Sequence, residues 1–127
     1  MKRPTSIPSV LIVEDEYPIA LAIKSTLSDA GYRIVGPVGT IPAAIALIST
    51  TENLNAAVLD PNLRGEIASE VAQSLTDRDI PFVLVSGYSR HELGSWASNA
   101  ELIEKPILDD RLLDCLDRLI PRRQGAV

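Results

Sequence analysis

The sequence has little of what several classes of protein require. Its one cysteine, Cys115, excludes an internal disulfide and fits a reducing compartment, and its one histidine, His91, excludes a site that needs several histidines. The net charge is −5, and the pair Arg122-Arg123 is too small a basic patch for nucleic acid. No apolar run approaches the length of a membrane span, and residues 1–3 lead into proline rather than an apolar signal core. We therefore expect a cytoplasmic protein that binds neither nucleic acid nor a membrane.

What the sequence does contain is a regular alternation of apolar runs and amphipathic segments. Its 127 residues suffice for one domain with a substantial core, and 46% hydrophobic with 23% charged residues is ordinary for a globular protein. The apolar runs lie at residues 10–13, 34–38, 56–59, 82–85 and 102–103. They are continuous rather than alternating, which is typical of parallel strands covered on both faces. Five β-then-α units therefore predict an α/β fold around a parallel sheet.

Apolar residues also recur at helical spacing between these runs. The segments contain Ile19, Ile23, Leu27 and Ala30, then Ile41, Ala44, Ile45 and Ile48, then Ile67, Val71 and Leu75, and finally Leu108, Leu112, Cys115, Leu116 and Leu119. Pro18 requires the first helix to begin near Glu16 or Tyr17. Gly94 and several serines predict that the fourth helix, within residues 89–99, is short or mobile. The predicted domain covers residues 9–120, between loose tails at 1–8 and 121–127.

Polar side chains follow most of the predicted strands. In an open parallel sheet, ligands bind outside the carboxyl ends of the strands. The residues at those ends are Glu14, Asp15 and Glu16 after the first run, Asp60 after the third, Ser86 and Gly87 after the fourth, and Lys105 after the fifth. The sequence therefore predicts that carboxylates, a hydroxyl and an amine meet at one edge of the sheet.

This set of groups has a coherent chemistry. Two or three carboxylates suit a hard cation such as Mg²⁺, which takes oxygen ligands and keeps several waters. Asp60 is alone at the end of a buried strand and could attack an activated phosphoryl group. The cation, the ammonium of Lys105 and the hydroxyl of Ser86 would then stabilise the phosphoryl oxygens from three sides.

Each residue also has a simpler interpretation. Asp15 could cap the first helix, and Glu14 and Glu16 could be solvated near its N-terminus. Asp60, which precedes a proline, could start a turn, and the serine and the lysine could be ordinary loop residues. Taken singly, all but Asp60 favour the simpler interpretation. Taken together at one edge, they favour a shared site.

Four motifs carry a resemblance to a known family. They are "VEDE" at residues 13–16, "VLDPNLRGE" at 58–66, "FVLVSGY" at 82–88 and "EKP" at 104–106. Each is weak alone, but all four in this order at strand ends are strong. Over residues 9–120 the chain resembles a bacterial response-regulator receiver domain, the phosphorylated half of two-component signalling. The resemblance implies a flavodoxin-like, doubly wound fold with strand order 2-1-3-4-5 and helices on both faces.

The resemblance also implies a role for each matched residue. Asp60 is the expected phospho-acceptor, Ser86 the switch hydroxyl, and Lys105 the phosphate-pairing lysine in a Lys105-Pro106 bond that is typically cis. The expected Mg²⁺ ligands are Glu14, Asp15, Asp60 and the backbone carbonyl of Asn62. Glu16 is assigned to the start of the first helix instead.

Two positions depart from the usual pattern of the family. Glu14 stands where many members carry Asp, and its longer arm could reach the metal directly or through water. Leu102 stands where Tyr or Phe is usual, so we expect Tyr88, together with Ser86, Gly87 and the loose fourth helix, to carry part of the switch. The stretch "PFVLVSGY" is similar to the Phe-Ala-Thr-Gly-Tyr/Gly variant of alphaproteobacterial single-domain receivers.

These residues support three functional hypotheses. In the first, a receiver without an attached output domain is phosphorylated by a histidine kinase or histidine phosphotransfer protein. It catalyses only its own phosphorylation and dephosphorylation, and it changes protein binding on the face made by the fourth helix, fifth strand and fifth helix. The second is a non-phosphorylated interaction module of the same fold, which the complete set of Asp60, Ser86 and Lys105 disfavours. The third is a flavodoxin-like electron carrier, in which carboxylates after the first strand would repel the cofactor's phosphate.

Overall fold

Five parallel strands form the central sheet, at the positions of the apolar runs. The computed structural model describes residues 7–120, so the predicted tail at 121–127 and residues 1–6 of the other tail lie outside the described residues. The strands are β1 (Ser9–Val13), β2 (Arg33–Val38), β3 (Leu54–Leu59), β4 (Phe82–Ser86) and β5 (Glu101–Glu104). Their order is β2-β1-β3-β4-β5, and every neighbouring pair is parallel. The predicted fold class and strand order 2-1-3-4-5 are confirmed.

Helices cover both faces of this sheet. They are α1 (Tyr17–Asp29), α2 (Ile41–Thr50), α3 (Ser69–Asp77), α4 (Arg90–Leu93) and α5 (Asp109–Leu119), with a 3-10 turn at Ser95–Ala97. Pro18 lies in the first turn of α1, as predicted, because a residue without a backbone N–H breaks no helical hydrogen bond there. Within residues 7–120, no helix is both long and apolar enough to cross a membrane.

Two apolar layers, one on each face of the sheet, make up the core. Val10 and Ile12 of β1 belong to the layer under α1 and α5, whereas Leu11 and Val13 belong to the layer under α2 and α3. All four side chains are fully buried. Successive strand residues point to opposite faces. Because both faces of β1 are covered, its sequence is an unbroken apolar run.

The last helix buries one side against the layer of α1. Leu112, Cys115 and Leu116 are buried there, as predicted. The prediction that Leu108 shares this side is wrong, because Leu108 is 64% exposed. Leu108 is the N-cap residue of α5 and has an extended backbone, so it stands outside the helix whose spacing it fits.

A short antiparallel hairpin lies between β3 and α3, and the sequence did not predict it. Asn62–Leu63 pairs with Glu66–Ile67, and the chain reverses through Arg64 and Gly65. The prediction that Ile67 begins the helical pattern of α3 is therefore wrong. Ile67 is 63% exposed, and α3 begins only at Ser69.

The fourth helix is short, as predicted. It covers only Arg90–Leu93 and buries no side chain completely. Gly94 ends it with a φ of 93°, a value that residues with a side chain rarely adopt. The 3-10 turn that follows contains Trp96, which is partly buried against the layer of α2 and α3.

Leu116→Ala should lower the free energy of unfolding by about 2–5 kcal/mol, because removing a fully buried side chain leaves a cavity. Leu108→Ala is the matched control. It makes the same chemical change at an exposed position and should alter the free energy by less than about 0.5 kcal/mol. Urea unfolding followed by circular dichroism measures both variants. Equal losses would contradict this packing of α5.

Candidate functional site

Four strands deliver polar side chains to one edge of the sheet. Glu14 directly follows β1, and Asp60 directly follows the neighbouring strand β3. The backbone N–H of Asp60 donates to the carbonyl oxygen of Val13 at 2.9 Å, so the two acids leave the sheet side by side. Ser86 ends β4, and the N–H of Lys105, just after β5, donates to the Ser86 carbonyl at 2.8 Å. Open parallel sheets bind ligands at this edge, where the strand order changes direction.

The ammonium group of Lys105 lies among three carboxylates. Its Nζ is 2.9 Å from Asp60 Oδ2, 3.0 Å from Glu16 Oε1 and 3.2 Å from Glu14 Oε1. The Glu14 and Asp60 side chains are nearly inaccessible to water, whereas that of Glu16 is 57% exposed. Burial disfavours the charged ammonium, but the hydrogen bonds to Asp60 and Glu16 outweigh it and raise the pKa of Lys105. The lysine therefore stays charged and offsets the repulsion between the acids.

Glu14 is the most deeply buried of these acids. Burial first, and then its contact with Asp60, raise the pKa of Glu14 from 4.5 to about 8. Its Oε2 accepts hydrogen bonds from the Glu16 N–H at 3.1 Å and from Lys105 Nζ at 3.3 Å. Its Oε1 lies near Lys105 Nζ, but it accepts no hydrogen bond from residues 7–120. A buried oxygen without a donor is suited to bind a cation.

Three of the predicted metal ligands lie together. One oxygen from each of Glu14, Asp15 and Asp60 is within 4.8 Å of the other two. Carboxylate oxygens are the ligands that Mg²⁺ prefers in proteins, so the residues present fit this ion. The N–H of Asn62 donates to Asp60 Oδ1 at 2.8 Å, which places Asn62 beside the cluster. Metal binding by these three side chains and by the Asn62 carbonyl stays a prediction, as does the choice between direct and water-mediated contact for Glu14.

An open pocket of about 460 Å³ lies over the acidic cluster. Its lining includes Asp15, Asp60, Asn62, Arg64, Tyr88 and Lys105. Asp60 is only 6% exposed, yet it lines this pocket, so a reactant can approach its carboxylate from one direction.

The predicted switch residues lie beside the pocket. Ser86 is fully buried, and its Oγ accepts a hydrogen bond from the N–H of Tyr88 at 2.7 Å. Gly87 and Tyr88 line the pocket, and Tyr88 is 46% exposed. Leu102 is partly buried against the layer of α2 and α3. Their part in a switch stays a prediction.

Glu16 has a role that sequence reasoning missed. It is the N-cap residue of α1, so it does belong to the helix start, but its side chain makes no capping hydrogen bond. Its carboxylate instead accepts a hydrogen bond from Lys105, 89 residues away in the sequence. The run of three consecutive acids was the signal in the sequence that could have indicated this contact. Only the packing of β5 beside β4, however, brings Lys105 to Glu16, the third of these acids.

Solved structures with this shape include several that are described as response regulator receivers. SdrG from Sphingomonas melonis Fr1 is 35% identical to the chain with a TM-score of 0.80, and the match covers 91% of this chain and 98% of that one. A CheY-like response regulator receiver domain protein from Methanospirillum hungatei JF-1 is 26% identical, with a TM-score of 0.80 and coverage of 89% and 93%. A response regulator receiver protein from Sinorhizobium medicae WSM419 is 26% identical, with a TM-score of 0.78 and coverage of 90% and 94%. The chain belongs to the response-regulator receiver family.

No protein-family model and no curated protein matches the sequence of this receiver domain. The assignment rests on the fold together with the acidic cluster, which fits a phospho-accepting receiver. The Lys105–Pro106 peptide bond of the receiver domain is cis, as predicted.

The raised pKa of Glu14 predicts how the stability of the metal-free receiver domain depends on pH. Glu14 loses its proton near 4.5 in the unfolded chain and near 8 in the folded one, so the folded state holds an extra proton between these values. The contribution of Glu14 to stability therefore falls as the pH rises through this window and is constant above it. Glu14→Gln, which does not titrate, should gain stability relative to the unsubstituted protein from pH ~5 to pH ~8.

Urea unfolding at several pH values in EDTA measures this difference. Glu52→Gln changes an exposed acid and is the control. The difference in stability between this variant and the unsubstituted protein should not show the same dependence on pH. A difference between Glu14→Gln and the unsubstituted protein that stays constant with pH would show that Glu14 is ionised throughout.

Proposed function

We propose that Asp60 takes a phosphoryl group from a histidine kinase or histidine phosphotransfer protein in a Mg²⁺-dependent step. The observation that carries the proposal is the position of Asp60. Its carboxylate lines the open pocket, is 2.9 Å from the Lys105 ammonium, and belongs to the cluster with Glu14 and Asp15. A nucleophile, a fixed positive charge and cation ligands thus meet at one point. The protein would act as a signalling switch whose only catalysis is its own phosphorylation and dephosphorylation.

The proposed step is a displacement at phosphorus. An Asp60 carboxylate oxygen bonds to phosphorus while the bond from phosphorus to the donor's histidine nitrogen breaks, and that nitrogen keeps the electron pair. Lys105 holds Asp60 Oδ2, and the Asn62 N–H holds Oδ1, so the carboxylate is oriented before the donor arrives. Bound Mg²⁺ would offset the repulsion between the carboxylates and the phosphoryl oxygens.

The position of Lys105 allows its ammonium to pair with Asp60 before phosphorylation and with the phosphoryl group afterwards. Phosphorylation transfers negative charge from the Asp60 carboxylate to the phosphoryl oxygens. The ammonium has three N–H donors, so it can pair with those oxygens while it keeps its contact with Glu16. Glu16 would then hold Lys105 near the pocket in both states.

Ser86 and Tyr88 connect the site to the segment before α4. In the described state Ser86 Oγ accepts a hydrogen bond from the Tyr88 N–H. If the hydroxyl turns towards a phosphoryl oxygen, this bond changes, and the chain that enters α4 changes with it. Leu102 has no ring to turn, so the exposed Tyr88 is the aromatic residue that would respond. Phosphorylation would thereby shift a population between two arrangements.

Three hydrogen bonds from Arg90 hold the segment that would move. Its Nη1 donates to the carbonyl oxygens of Ala97 at 2.9 Å and Ser98 at 3.2 Å, and its Nη2 to that of Ala100 at 2.7 Å. The helix α4 itself buries no side chain completely, although Trp96 and Ala97 farther along the segment pack against the layer of α2 and α3. A helical turn with no completely buried side chain opens at low free-energy cost. We therefore expect partner affinity to change on the face of α4, β5 and α5.

Exposed apolar side chains lie on the segments that begin at the edge of the sheet where the pocket is, and they suit a docking partner. Of the six large apolar side chains exposed among residues 7–120, five lie on segments that begin at this edge of the sheet: Tyr17, Leu21, Ile67, Tyr88 and Leu108. Exposed apolar surface beside a polar site is typical of protein interaction sites. A kinase or phosphotransfer protein that docks there would bring its histidine to Asp60.

We also place the protein in the cytoplasm. Its one cysteine, Cys115, is a free thiol on the buried side of α5. Burial raises the pKa of this thiol and keeps it unreactive, and a free cysteine fits a reducing compartment.

Incubation with Mg²⁺ and a small-molecule phosphodonor should add the mass of one phosphoryl group to the intact protein. The gain should be lost in EDTA and in Asp60→Asn, because the first removes the cation and the second removes the nucleophile. Intact-protein mass spectrometry measures it. Asp77→Asn, which changes an exposed aspartate at the end of α3, should be phosphorylated normally.

A purified histidine kinase and a phosphotransfer protein are tested in parallel as donors. No mass gain from any donor, with the protein folded and Mg²⁺ present, would contradict the proposal and favour the non-phosphorylated interaction module. A gain that survives in Asp60→Asn would place the phosphoryl group elsewhere.

Tyr88→Ala should reduce the phosphorylation-dependent changes in amide chemical shift over residues 88–103, because it keeps the backbone N–H that donates to Ser86 but removes the exposed ring that we propose responds with it. Tyr17→Ala removes another exposed tyrosine, on α1, and should leave those changes intact. Two-dimensional NMR spectra of each variant, with and without phosphodonor, provide the comparison. Unchanged shifts in Tyr88→Ala would exclude Tyr88 from the switch.

A further inference from the structure

The carboxylate of Asp15 is held from the far side of the pocket. Its Oδ2 accepts a hydrogen bond from the backbone N–H of Arg64 at 3.0 Å, across 49 residues of sequence. Asp15 is only partly buried, and its side chain forms no ion pair with residues 7–120. The Arg64 amide therefore orients Asp15, and the other carboxylate oxygen stays available for a cation.

The Arg64 amide reaches Asp15 because it lies in the tight turn of the hairpin. Arg64 has a φ of 54° and Gly65 a φ of 86°, so two consecutive residues are left-handed. Arg64 is not a glycine, and other contacts must hold it in a conformation that side chains disfavour. The pairing of Leu63 with Glu66 is one such contact, and it belongs to a hairpin only two residues long on each side.

The side chain of Asn62 supplies the other contact. Its Oδ1 accepts a hydrogen bond from the Gly65 N–H at 2.8 Å and so closes the turn around Arg64. Asparagine commonly closes turns in this way. The backbone of the same residue faces the acidic cluster, because its N–H donates to Asp60 Oδ1. Asn62 thus links Asp60 through its backbone to Asp15 through its side chain and the turn.

We propose that the Asn62 side chain is a positioning residue for the cation site, acting through Gly65 and Arg64 on the carboxylate of Asp15. The inference rests on the proposed Mg²⁺-dependent function and adds a residue whose side chain touches neither the ion nor the phosphoryl group. Partners that orient a metal ligand commonly matter for affinity as much as for shape. The contribution of the side chain is separable from that of the backbone, since a substitution leaves the Asn62 carbonyl and N–H in place.

The test compares Mg²⁺ affinity, from amide shifts titrated with Mg²⁺, with hydrogen exchange of the amide at position 64 in metal-free protein. Asn62→Ala should weaken Mg²⁺ binding about tenfold and speed exchange of that amide. Asn99→Ala makes the same chemical change at an exposed asparagine outside the pocket lining and is the matched control. It should retain both the Mg²⁺ affinity of the unsubstituted protein and the slow exchange of the amide at position 64.

Asn62→Asp is the rescue variant. It keeps an acceptor for the Gly65 N–H and should restore slow exchange of the Arg64 amide; its added charge makes exchange, rather than affinity, the proper readout. Unchanged Mg²⁺ affinity in Asn62→Ala, when the unsubstituted protein binds Mg²⁺, would overturn this inference alone. An unsubstituted protein that shows no Mg²⁺-dependent shifts would overturn the Mg²⁺ step of the proposed function, and the inference with it. Urea unfolding of each variant separates loss of the fold from loss of positioning.

Discussion

The contact of Lys105 with three carboxylates is the interaction on which the site depends. Glu14 and Asp60 are almost fully removed from water, where the repulsion between like charges is strongest. The ammonium, within 3.2 Å of both, offsets that repulsion. The compensation is incomplete, because Glu14 still has a raised pKa and an oxygen that accepts no hydrogen bond from the described part of the chain, residues 7–120. Buried ionic groups seldom stabilise a fold as well as apolar packing would. An arrangement that is costly for stability and suited to a cation and a phosphate is better explained by function.

The two sides of the site differ in how firmly they are held. On one side, β1 and the last four residues of β3 are buried, and hydrogen bonds connect the hairpin after β3 to Asp60 and Asp15. On the other, the chain between β4 and β5 contains a one-turn helix, a 3-10 turn and the polar contacts of Arg90. Ser86 lies between the two sides. Its carbonyl oxygen accepts a hydrogen bond from the N–H of Lys105, and its hydroxyl oxygen accepts one from the N–H of Tyr88. The strands and the hairpin therefore hold Asp60 in place on one side. When the charge at Asp60 changes, the chain between β4 and β5 on the other side can change its conformation.

Most of the fold could be predicted from the sequence, and the failures have local causes. Apolar runs marked all five strands. The runs in β1, β3 and β4 are mostly buried, because a strand covered on both faces has no polar positions to interrupt it, whereas the edge strands β2 and β5 are only partly buried. Ile67 and Leu108 fit the spacing of the helices that follow them, but spacing does not reveal where the backbone begins to turn. The hairpin was missed because strands of two residues carry no periodicity. Its available signal was Arg64-Gly65 after an asparagine, a common turn composition that does not reveal what the turn contacts.

The sequence by itself determined which chemical groups stand at the ends of the strands. Strand ends and side-chain identities are local properties, and parallel strands must present their carboxyl ends at one edge. Only the tertiary structure decided how those groups share their contacts. It paired Glu16 with Lys105 rather than with its own helix, used a backbone N–H of the hairpin to hold Asp15, and brought the same lysine to Glu14 and Asp60. These contacts join residues 45 to 91 positions apart, so they depend on how sheet, hairpin and loops pack, which no local pattern encodes.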